Sequence, residues 1–371
     1  MRGRPQLYTR YAQDRAIFNT PSKWIWFGML VVALVVAPFY LERDLALIGA
    51  NVLATAIGAI GLNLVSGYAG QLSLGHAFFL GVGAFTAAVV AGPTSGRLLG
   101  FGLDQVWIWL PIAGLVAAAT GAIVAPVAVR LRGLYLAIVT VGLVLVGEHI
   151  FREAASWTGG VGTGRSAANP HLFGFRFDDP GTILGVELTR SQGLYFLSLF
   201  CLLVLGFLAK NLVRSKTGLA FMAVRDRDIA AAVMGIDLTR TKLIAFTVSS
   251  FYGGVSGALL ATNTGFIEPS HYSLLLSIAF VAMVIIGGIG SIAGAIMGAA
   301  FITALPRLVQ ELADNVPIIS LSPVGGFPTV FQVERMVYGV LIIGFILLEP
   351  RGLFGIWIRI RNYFKAWPFS H

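Results

Sequence analysis

The stretch NLVSGYAGQLSLGHAFFLGVGAF, residues Asn63–Phe85, decides how this chain is organised. It lies in a strongly apolar region, yet it carries several polar side chains and five glycines. A bilayer interior offers no hydrogen-bond partner to polar side chains or to loosened backbone, so such a segment must be buried in protein or line a wet path. We therefore predict that it borders a path through a membrane. The candidate pathway residues are Asn63, Ser66, Gln71, Ser73 and His76.

His76 has three possible roles in this stretch. It can pack between helices, line the pathway or carry a proton. No carboxylate lies near it in the sequence to complete a proton relay. Packing is therefore favoured over pathway lining, and proton transfer is the least favoured of the three.

Composition identifies a membrane protein. Of the 371 residues, 57% are hydrophobic and 12% are charged, with a mean hydropathy of +0.82. Soluble domains are about 25% charged. Apolar runs recur from Trp24 to Leu348, and they do not alternate as β-barrel strands would. We predict an all-α polytopic membrane protein of about ten transmembrane helices, in which some segments are re-entrant or broken.

Apolar runs of helical length define the individual spans. A permease domain at 24–350 would lie between a basic tail at 1–23 and a second tail at 351–371. The predicted spans are Trp24–Tyr40, Leu45–Val65, Leu72–Gly92, Val106–Val129, Gly133–Phe151, Leu194–Leu212, Leu243–Thr262, Ser273–Ile286, Ile292–Leu312 and Arg335–Leu348.

The charges orient these spans by the positive-inside rule. With both tails in the cytoplasm, 18 of the 26 lysines and arginines and 5 of the 17 acidic residues fall on the cytoplasmic side. That side then has a net charge of +13, and the outer side has −4. A cytoplasmic C-terminus requires an even number of spans, so the run Ser273–Leu312 must be split at Gly287–Ser291. The basic charge thus reflects orientation in the lipid bilayer and argues against nucleic-acid binding.

The loop 152–192 is predicted to be extracytoplasmic. It contains TGGVGTG at Thr158–Gly164, which lacks the Gly-Lys-Ser/Thr ending of a phosphate loop. We expect either a flexible glycine loop or a docking surface for a partner that delivers ligand. At the junction of the fifth predicted span with this loop, Glu148 and Arg152 are spaced to pair on one helix face. The candidates for an outer vestibule or binding-protein contact are Glu148, Arg152, Gly159 and Gly160.

The loop 210–242 is predicted to be cytoplasmic and structured. Short helices are expected at Gly218–Val224 and Asp228–Met234, with Asp228 as an N-cap and Gly235 as a C-cap. A solvated positive-inside loop would explain its arginines but not a capped, alanine-rich helix. The loop therefore predicts contact with a partner protein.

Three sequence blocks resemble one known family. They are Leu64–His76 (LVSGYAGQLSLGH), Gly218–Ile236 (GLAFMAVRDRDIAAAVMGI) with the following TKLIAF, and Val284–Ala295 (VIIGGIGSIAGA). In this order, and with the Thr-Gly-Gly of the outer loop, they resemble the M-type permease subunits of bacterial ABC importers for branched-chain amino acids. The resemblance covers most of the chain.

The resemblance implies a heteromeric importer in the bacterial cytoplasmic (inner) membrane. This chain and an H-type permease would form the pore, two ABC ATPase subunits would drive alternating access, and an extracytoplasmic solute-binding protein would deliver the solute. Importer permeases dock on their ATPases through a loop that begins Glu-Ala-Ala, and here Ile229–Ala232 (IAAA) occupies that place. The implied docking residues are Arg225, Asp226, Arg227, Asp228, Ala231, Ala232 and Gly235.

Other functions are weighed against this one. The chain has no P-loop, so ATP would be hydrolysed by the partner subunits, and this chain would be no enzyme and hold no cofactor. Five scattered histidines and a single cysteine, Cys201, offer no catalytic or metal-ligand spacing, so no metal site is expected. A permease of the same family for urea, short amides or aromatic carboxylates is the nearest alternative. A stand-alone secondary transporter is less favoured, because no buried acid is available to carry a coupling ion.

Overall fold

A computed structural model describes residues 21–94, 98–131, 133–172, 175–177, 181–183, 186–315, 330–349 and 351–366. Most of the predicted N-terminal tail, residues 1–20, and the end of the C-terminal tail, residues 367–371, lie outside the described residues. The helices are α1 (Pro21–Tyr40), α2 (Arg43–Asn63), α3 (His76–Ala91), α4 (Val106–Arg130), α5 (Leu134–Glu153), the short α6 (Ala155–Thr158), α7 (Arg190–Arg214), α8 (Lys216–Asp226), α9 (Asp228–Val233), α10 (Leu238–Thr264), α11 (Leu274–Gly287), α12 (Ile292–Asn315), α13 (Val330–Leu348) and α14 (Gly352–Ala366). A π-helical turn at Leu64–Tyr68 continues α2, and a 3-10 turn at Pro269–Tyr272 precedes α11.

A helix occupies each of the ten predicted spans, which confirms the all-α polytopic fold class. Among the described residues, six helical stretches are long and apolar enough to cross a membrane, and three shorter helices are also apolar. The six are Arg43–Tyr68, Val106–Arg130, Leu134–Glu153, Arg190–Arg214, Leu238–Thr264 and Ile292–Glu311, and the shorter three are Trp24–Tyr40, His76–Ala91 and Leu274–Gly287.

One predicted span is longer than its helix. The span Leu72–Gly92 was expected to be helical throughout, but α3 begins only at His76. Side chains from other helices take the backbone donors at this point: Leu74 N donates to Thr140 Oγ1 at 2.9 Å, and Ala77 N donates to Ser277 Oγ at 2.9 Å. The non-helical backbone is thus satisfied by protein, as membrane-depth backbone must be.

Helix α10 lies at the centre of the bundle. It packs against α2, α3 and α4, while α2 also packs against α7 and α12. Small residues permit these close approaches: a Cβ atom at Gly83 of α3 would overlap the backbone of Gly254, and one at Gly257 would overlap the backbone of Leu80. Helix pairs in membranes commonly associate through such small-residue contacts.

Short strands form three two-stranded antiparallel ladders at the end of the bundle where α10 finishes. Strand β1 (Arg165–Ser166) pairs with β6 (Phe266–Ile267), β2 (His171–Leu172) pairs with β3 (Phe175–Arg176), and β4 (Gly181–Ile183) pairs with β5 (Val186–Leu188). We call this end the ladder face, and the opposite end, where α10 begins after α8 and α9, the α8–α9 face.

Candidate functional site: two interrupted helices and the α8–α9 segment

Two helical interruptions meet near the α8–α9 face. After α2, the chain forms the π-helical turn and then an irregular stretch up to Gly75. Between α11 and α12, the chain turns at Gly288 and Gly290, whose φ angles are 126° and 76°. Positive φ is a conformation that glycine adopts without steric cost, so the Gly-Gly-Ile-Gly sequence explains this turn. The predicted split at Gly287–Ser291 is confirmed.

Asn63 joins the two interruptions. Its side-chain Nδ2 donates to Ser291 O at 2.8 Å, and its Oδ1 accepts from Gly290 N at 2.9 Å. Asn63 is fully buried, and one amide therefore satisfies two backbone groups that α11 and α12 leave unpaired. Tyr68, in the π-helical turn, adds a contact to the backbone of Ile292.

Arg225, at the end of α8, reaches the same place. Its guanidinium donates from Nη1 to Gly67 O at 3.0 Å and from Nε to Asp226 Oδ1 at 2.9 Å. Gly70 has φ of 70° and lies against the Arg225 side chain, where a Cβ atom would come within 2.8 Å of Cγ. We call the set Asn63, Gly67, Arg225, Gly290 and Ser291 the glycine junction.

Of the other candidate pathway residues, Ser66 lies half-buried in the π-helical turn, and Gln71 and Ser73 are buried in the irregular stretch that follows it. Ser73 Oγ accepts from Gly75 N at 3.3 Å. Ser66 Oγ and both polar atoms of the Gln71 amide are buried without a hydrogen-bond partner among the described residues. The structure thus brings a cluster of unsatisfied polar groups to this region, a pattern that is uncommon in native interiors and requires a physical explanation.

His76 lies deeper, between three helices. Its ring has a hydrogen bond with the backbone of Gly58, and its centroid is 5.1 Å from that of Phe280. A Cβ atom at Gly253 would come within 3.2 Å of its Cε1. Its Nε2 atom has no partner among the described residues. His76 thus has packing contacts of the kind that the sequence analysis favoured, and one of its ring nitrogens is without a hydrogen-bond partner among the described residues.

The predicted docking segment consists of the short helices α8 and α9, and the long helix α10 follows it. Ser215 begins α8 by accepting a hydrogen bond from Gly218 N at 3.4 Å, and Asp237 begins α10 by accepting from Arg240 N at 3.0 Å. Asp228 is the first residue of α9 rather than its N-cap, because Arg227 occupies the cap position. A carboxylate in the first turn still complements the helix dipole. Gly235 ends the segment with φ of 84°, as a C-cap glycine should.

Helix α9 exposes an apolar surface. Ile229 is 72% exposed, and Val233 and Met234 are each 83% exposed. Of the alanines predicted to dock, Ala231 is buried and Ala232 is exposed. Charged residues flank this surface on both sides, so it does not resemble the lipid-facing stretches of the long helices. An exposed apolar patch with polar surroundings is typical of a protein interface.

The candidates on the ladder face also lie together. Glu148 and Arg152 form the expected salt bridge on α5. Arg152, Gly159 and Gly160 border a groove of about 1000 Å³ that also includes Glu153. Gly159 and Gly160 have φ of 84° and 73°, so the loop conformation depends on glycine.

Arg165 is a buried residue of this face that sequence reasoning did not select. Its guanidinium donates from Nη2 to Ala88 O at 2.7 Å, near the C-terminus of α3, and from Nη1 to Trp157 O at 3.1 Å. Burial lowers the pKa of Arg165, and the negative end of the α3 dipole favours its charge. The sequence feature that could have identified Arg165 is its position directly after the TGGVGTG loop.

The architecture defines an all-α, multi-span membrane protein whose interrupted helices bring polar groups into its interior. The family model for the permease component of branched-chain amino acid transport systems matches residues 45–346. The chain belongs to that family, as the resemblance in its sequence predicted.

Individual relatives agree with this assignment. The chain is 31% identical over 329 residues to the high-affinity branched-chain amino acid transport system permease protein LivM of Salmonella typhimurium, a match that covers 85% of this chain and 75% of that protein. LivM of Escherichia coli matches with the same identity and coverage. LivH of Salmonella typhimurium is 27% identical over 310 residues, 81% of this chain and 91% of that protein. No solved structure matches this chain.

Proposed function

We propose that this chain forms half of the translocation pathway of a heteromeric ABC importer for branched-chain or related hydrophobic amino acids. The observation that carries the proposal is the bond from Arg225 to Gly67 O, which connects α8 directly to the polar stretch after α2. An ATPase that moves α8 and α9 would act on the pathway through this contact. The α8–α9 face is cytoplasmic in this proposal, and the ladder face is extracytoplasmic.

In this proposal, the hydrogen bonds of two side chains, Arg225 and Asn63, transmit movement of α8 to the pathway. Arg225 holds the π-helical turn, and Asn63 holds that turn to the break between α11 and α12. Movement of α8 would therefore shift two interrupted helices together. Interrupted helices are the elements from which transporters commonly build solute sites. The unsatisfied hydroxyl of Ser66 and amide of Gln71 would supply hydrogen bonds to a passing zwitterion.

The partners follow from the exposed surfaces and from the relatives. The apolar surface of α9 would dock an ABC ATPase, one of two that hydrolyse ATP for the assembly. Relatives of both the LivM and LivH kinds match this chain, which supports pairing of this chain with an H-type permease of similar fold. The groove beside Arg152 and Gly160 would receive an extracytoplasmic solute-binding protein.

The test is reconstitution of the purified chain with an H-type permease, both ATPases and the binding protein in liposomes. We expect uptake of radiolabelled leucine that depends on ATP and on the binding protein, together with solute-stimulated ATP hydrolysis. Unlabelled urea, acetamide and benzoate should not compete with leucine. Leucine uptake by the chain alone, without ATP, would overturn the proposal, and competition by one of the other solutes would reassign the substrate.

The route through Arg225 has its own test. Arg225→Gln removes the charged donor to Gly67 O, so the assembly should hydrolyse ATP while transporting several-fold less leucine per ATP. Arg225→Lys keeps the charge and should retain part of the coupling. Co-purification of the ATPases separates a coupling defect from loss of docking. An unchanged ratio of uptake to hydrolysis in Arg225→Gln would exclude this route.

A further inference from the structure

Helix α14 begins almost directly after the last predicted span. Three residues, 349–351, separate its first residue from the end of α13 at Leu348, so α14 starts within roughly 14 Å of that end. The final residues of α13, Leu347 and Leu348, are apolar and exposed, as the lipid-facing surface of a span is. The start of α14 therefore lies at the edge of the bilayer.

The first turn of α14 packs against the break between α11 and α12. Gly352 has φ of 63°, and a Cβ atom there would come within 2.5 Å of Ile286 O and 2.8 Å of Gly288 N. Arg359 Nη2 donates to Glu349 Oε2 at 2.6 Å, which ties the middle of α14 to the residue that follows α13. Because Gly288 belongs to the break beside the glycine junction, α14 lies at the α8–α9 end of the bundle.

The exposed part of α14 is amphipathic. Trp357, Ile360 and Phe364 recur at helical spacing and share one face, and Phe364 is 71% exposed. By the same periodicity, Arg359 and Arg361 flank this face on its two sides. An exposed apolar stripe bordered by basic residues is typical of a helix that lies in the plane of a membrane surface.

The two arginines define the chemistry that this surface meets. Arg361 is exposed and forms no ion pair within the described part of the chain, and the Arg359 side chain is 74% exposed despite its bond to Glu349. The apolar stem of an arginine can run along hydrocarbon while its guanidinium reaches phosphate oxygens, which it binds in a bidentate manner. Phospholipid already surrounds the preceding span, so its headgroups are the anionic surface that continues to α14.

We propose that α14 lies in the membrane surface at the α8–α9 end of the bundle, with Trp357, Ile360 and Phe364 in the lipid, and that Arg359 and Arg361 bind anionic phospholipid headgroups. Because the first turn of α14 packs on residues 286–288, the helix anchors the α11–α12 break to the bilayer surface. This inference goes beyond the proposed function and does not depend on which solute is transported.

Fluorescence quenching tests where the helix lies. Phe364→Cys and Asn362→Cys place a bimane label on opposite faces of α14, since two residues correspond to about 200° around a helix. The full chain is studied in nanodiscs, and the natural chain, whose single cysteine is buried, is the labelling control. Spin-labelled phospholipid should quench the label at residue 364 at least threefold more than the label at residue 362, and aqueous iodide should give the reverse order.

The same assay can contradict the placement of α14 in the lipid. The inference is overturned if iodide quenches the label at residue 364 as strongly as the label at residue 362, because the apolar face would then lie in water. It is also overturned if neither quencher reaches residue 364, because a protein surface would then cover that face.

Lipid selectivity tests the role of charge. In mixed nanodiscs, the label at residue 364 is quenched with spin-labelled phosphatidylglycerol or with spin-labelled phosphatidylcholine. We expect phosphatidylglycerol to be preferred at least fivefold. Arg361→Gln should lower this preference about fivefold, which is the contribution of one basic residue near an anionic surface. Arg361→Lys, which keeps the charge, should retain most of the preference.

Arg240→Gln is the matched control. Arg240 is also exposed, but it lies in the first turn of α10, so its loss removes the same charge from the chain without changing α14. This variant should keep the full preference for phosphatidylglycerol, and thermal unfolding verifies that each variant is folded. No preference in the natural chain, or an equal preference in Arg361→Gln and Arg240→Gln, would refute the binding of anionic lipid. Because these assays need neither ATP nor solute, their outcome is independent of the proposed function.

Discussion

Asn63 holds two interrupted helices together through a single side-chain amide. Both of its hydrogen bonds go to backbone groups more than 220 positions away, at Gly290 and Ser291. Loss of the amide would leave the Gly290 N–H and the Ser291 carbonyl without this partner inside the protein, at roughly 1–3 kcal/mol each. This contact makes Asn63 primarily a structural residue, although its sequence context also suggests a place on the pathway.

Asn63→Ala should therefore lower the free energy of unfolding by about 2–4 kcal/mol, because two buried backbone groups lose their partner. The measurement is denaturant or thermal unfolding of the purified chain in detergent. Asn51→Ala, on the same helix, is the control, since Asn51 Oδ1 has no partner among the described residues. Normal stability of Asn63→Ala combined with a raised KM for uptake would instead favour pathway lining.

Gly67→Ala tests how closely the junction is packed. A Cβ atom at Gly67 would overlap Asn63 Oδ1 and lie 2.6 Å from Gly290 N, so it would displace the bond between them. We expect destabilisation of about 1–3 kcal/mol, the usual cost of overpacking. Gly206→Ala on α7 is the control, because open space surrounds that position, and it should be neutral or slightly stabilising. Equal behaviour of the two variants would contradict the junction's geometry.

Among the elements of the fold, the exposed apolar surface of the α8–α9 segment (residues 216–233) is the basis for predicting that it docks an ATPase. Its exposed apolar residues, Ile229 and Val233 among them, pack little against the residues that the structure describes. Val233→Glu should therefore change the free energy of unfolding by no more than about 0.5 kcal/mol. It should nevertheless reduce co-purification of the ATPases several-fold, since it places a charge in an apolar interface.

Thr239→Glu adds the same charge at an exposed position in the first turn of α10 and should affect ATPase binding much less. The comparison is made by affinity purification of the tagged permease and quantification of bound ATPase. If Val233→Glu retained the ATPases as fully as Thr239→Glu does, the apolar surface of α9 would not be the docking site.

Sequence patterns predicted elements better than they predicted contacts. The ten spans were predicted from local runs of apolar residues, and the break at Gly287–Ser291 from its glycines, and both signals lie in short stretches of the sequence. The bond from Arg225 to Gly67 O joins residues 158 positions apart, and no local pattern specifies such a pairing. The late start of α3 was also not predicted: Leu74 N, just before the helix, donates to Thr140 Oγ1 of α5, and no local pattern specifies that contact either.

The whole molecule is predicted to present its two faces to different compartments. Its single cysteine, Cys201, is buried in α7, so the natural chain should be almost unreactive toward a membrane-impermeant maleimide. Val161→Cys, on the exposed loop of the ladder face, should be labelled in intact spheroplasts. Arg227→Cys should be labelled only after the membrane is opened. Labelling of both variants in intact spheroplasts would contradict the proposed orientation.

Helix α10 gives these two faces a rigid connection. Its 27 residues, uninterrupted by proline, span about 40 Å. Its first residue, Leu238, comes shortly after α9. Its last residue, Thr264, is followed within two residues by β6, which pairs with β1 next to the TGGVGTG loop. Because the helix is continuous, a displacement along its axis at one end of the bundle would be transmitted to the other end. In the proposed importer, solute delivery on the ladder face and nucleotide binding by the ATPases on the α8–α9 face would both displace this one helix.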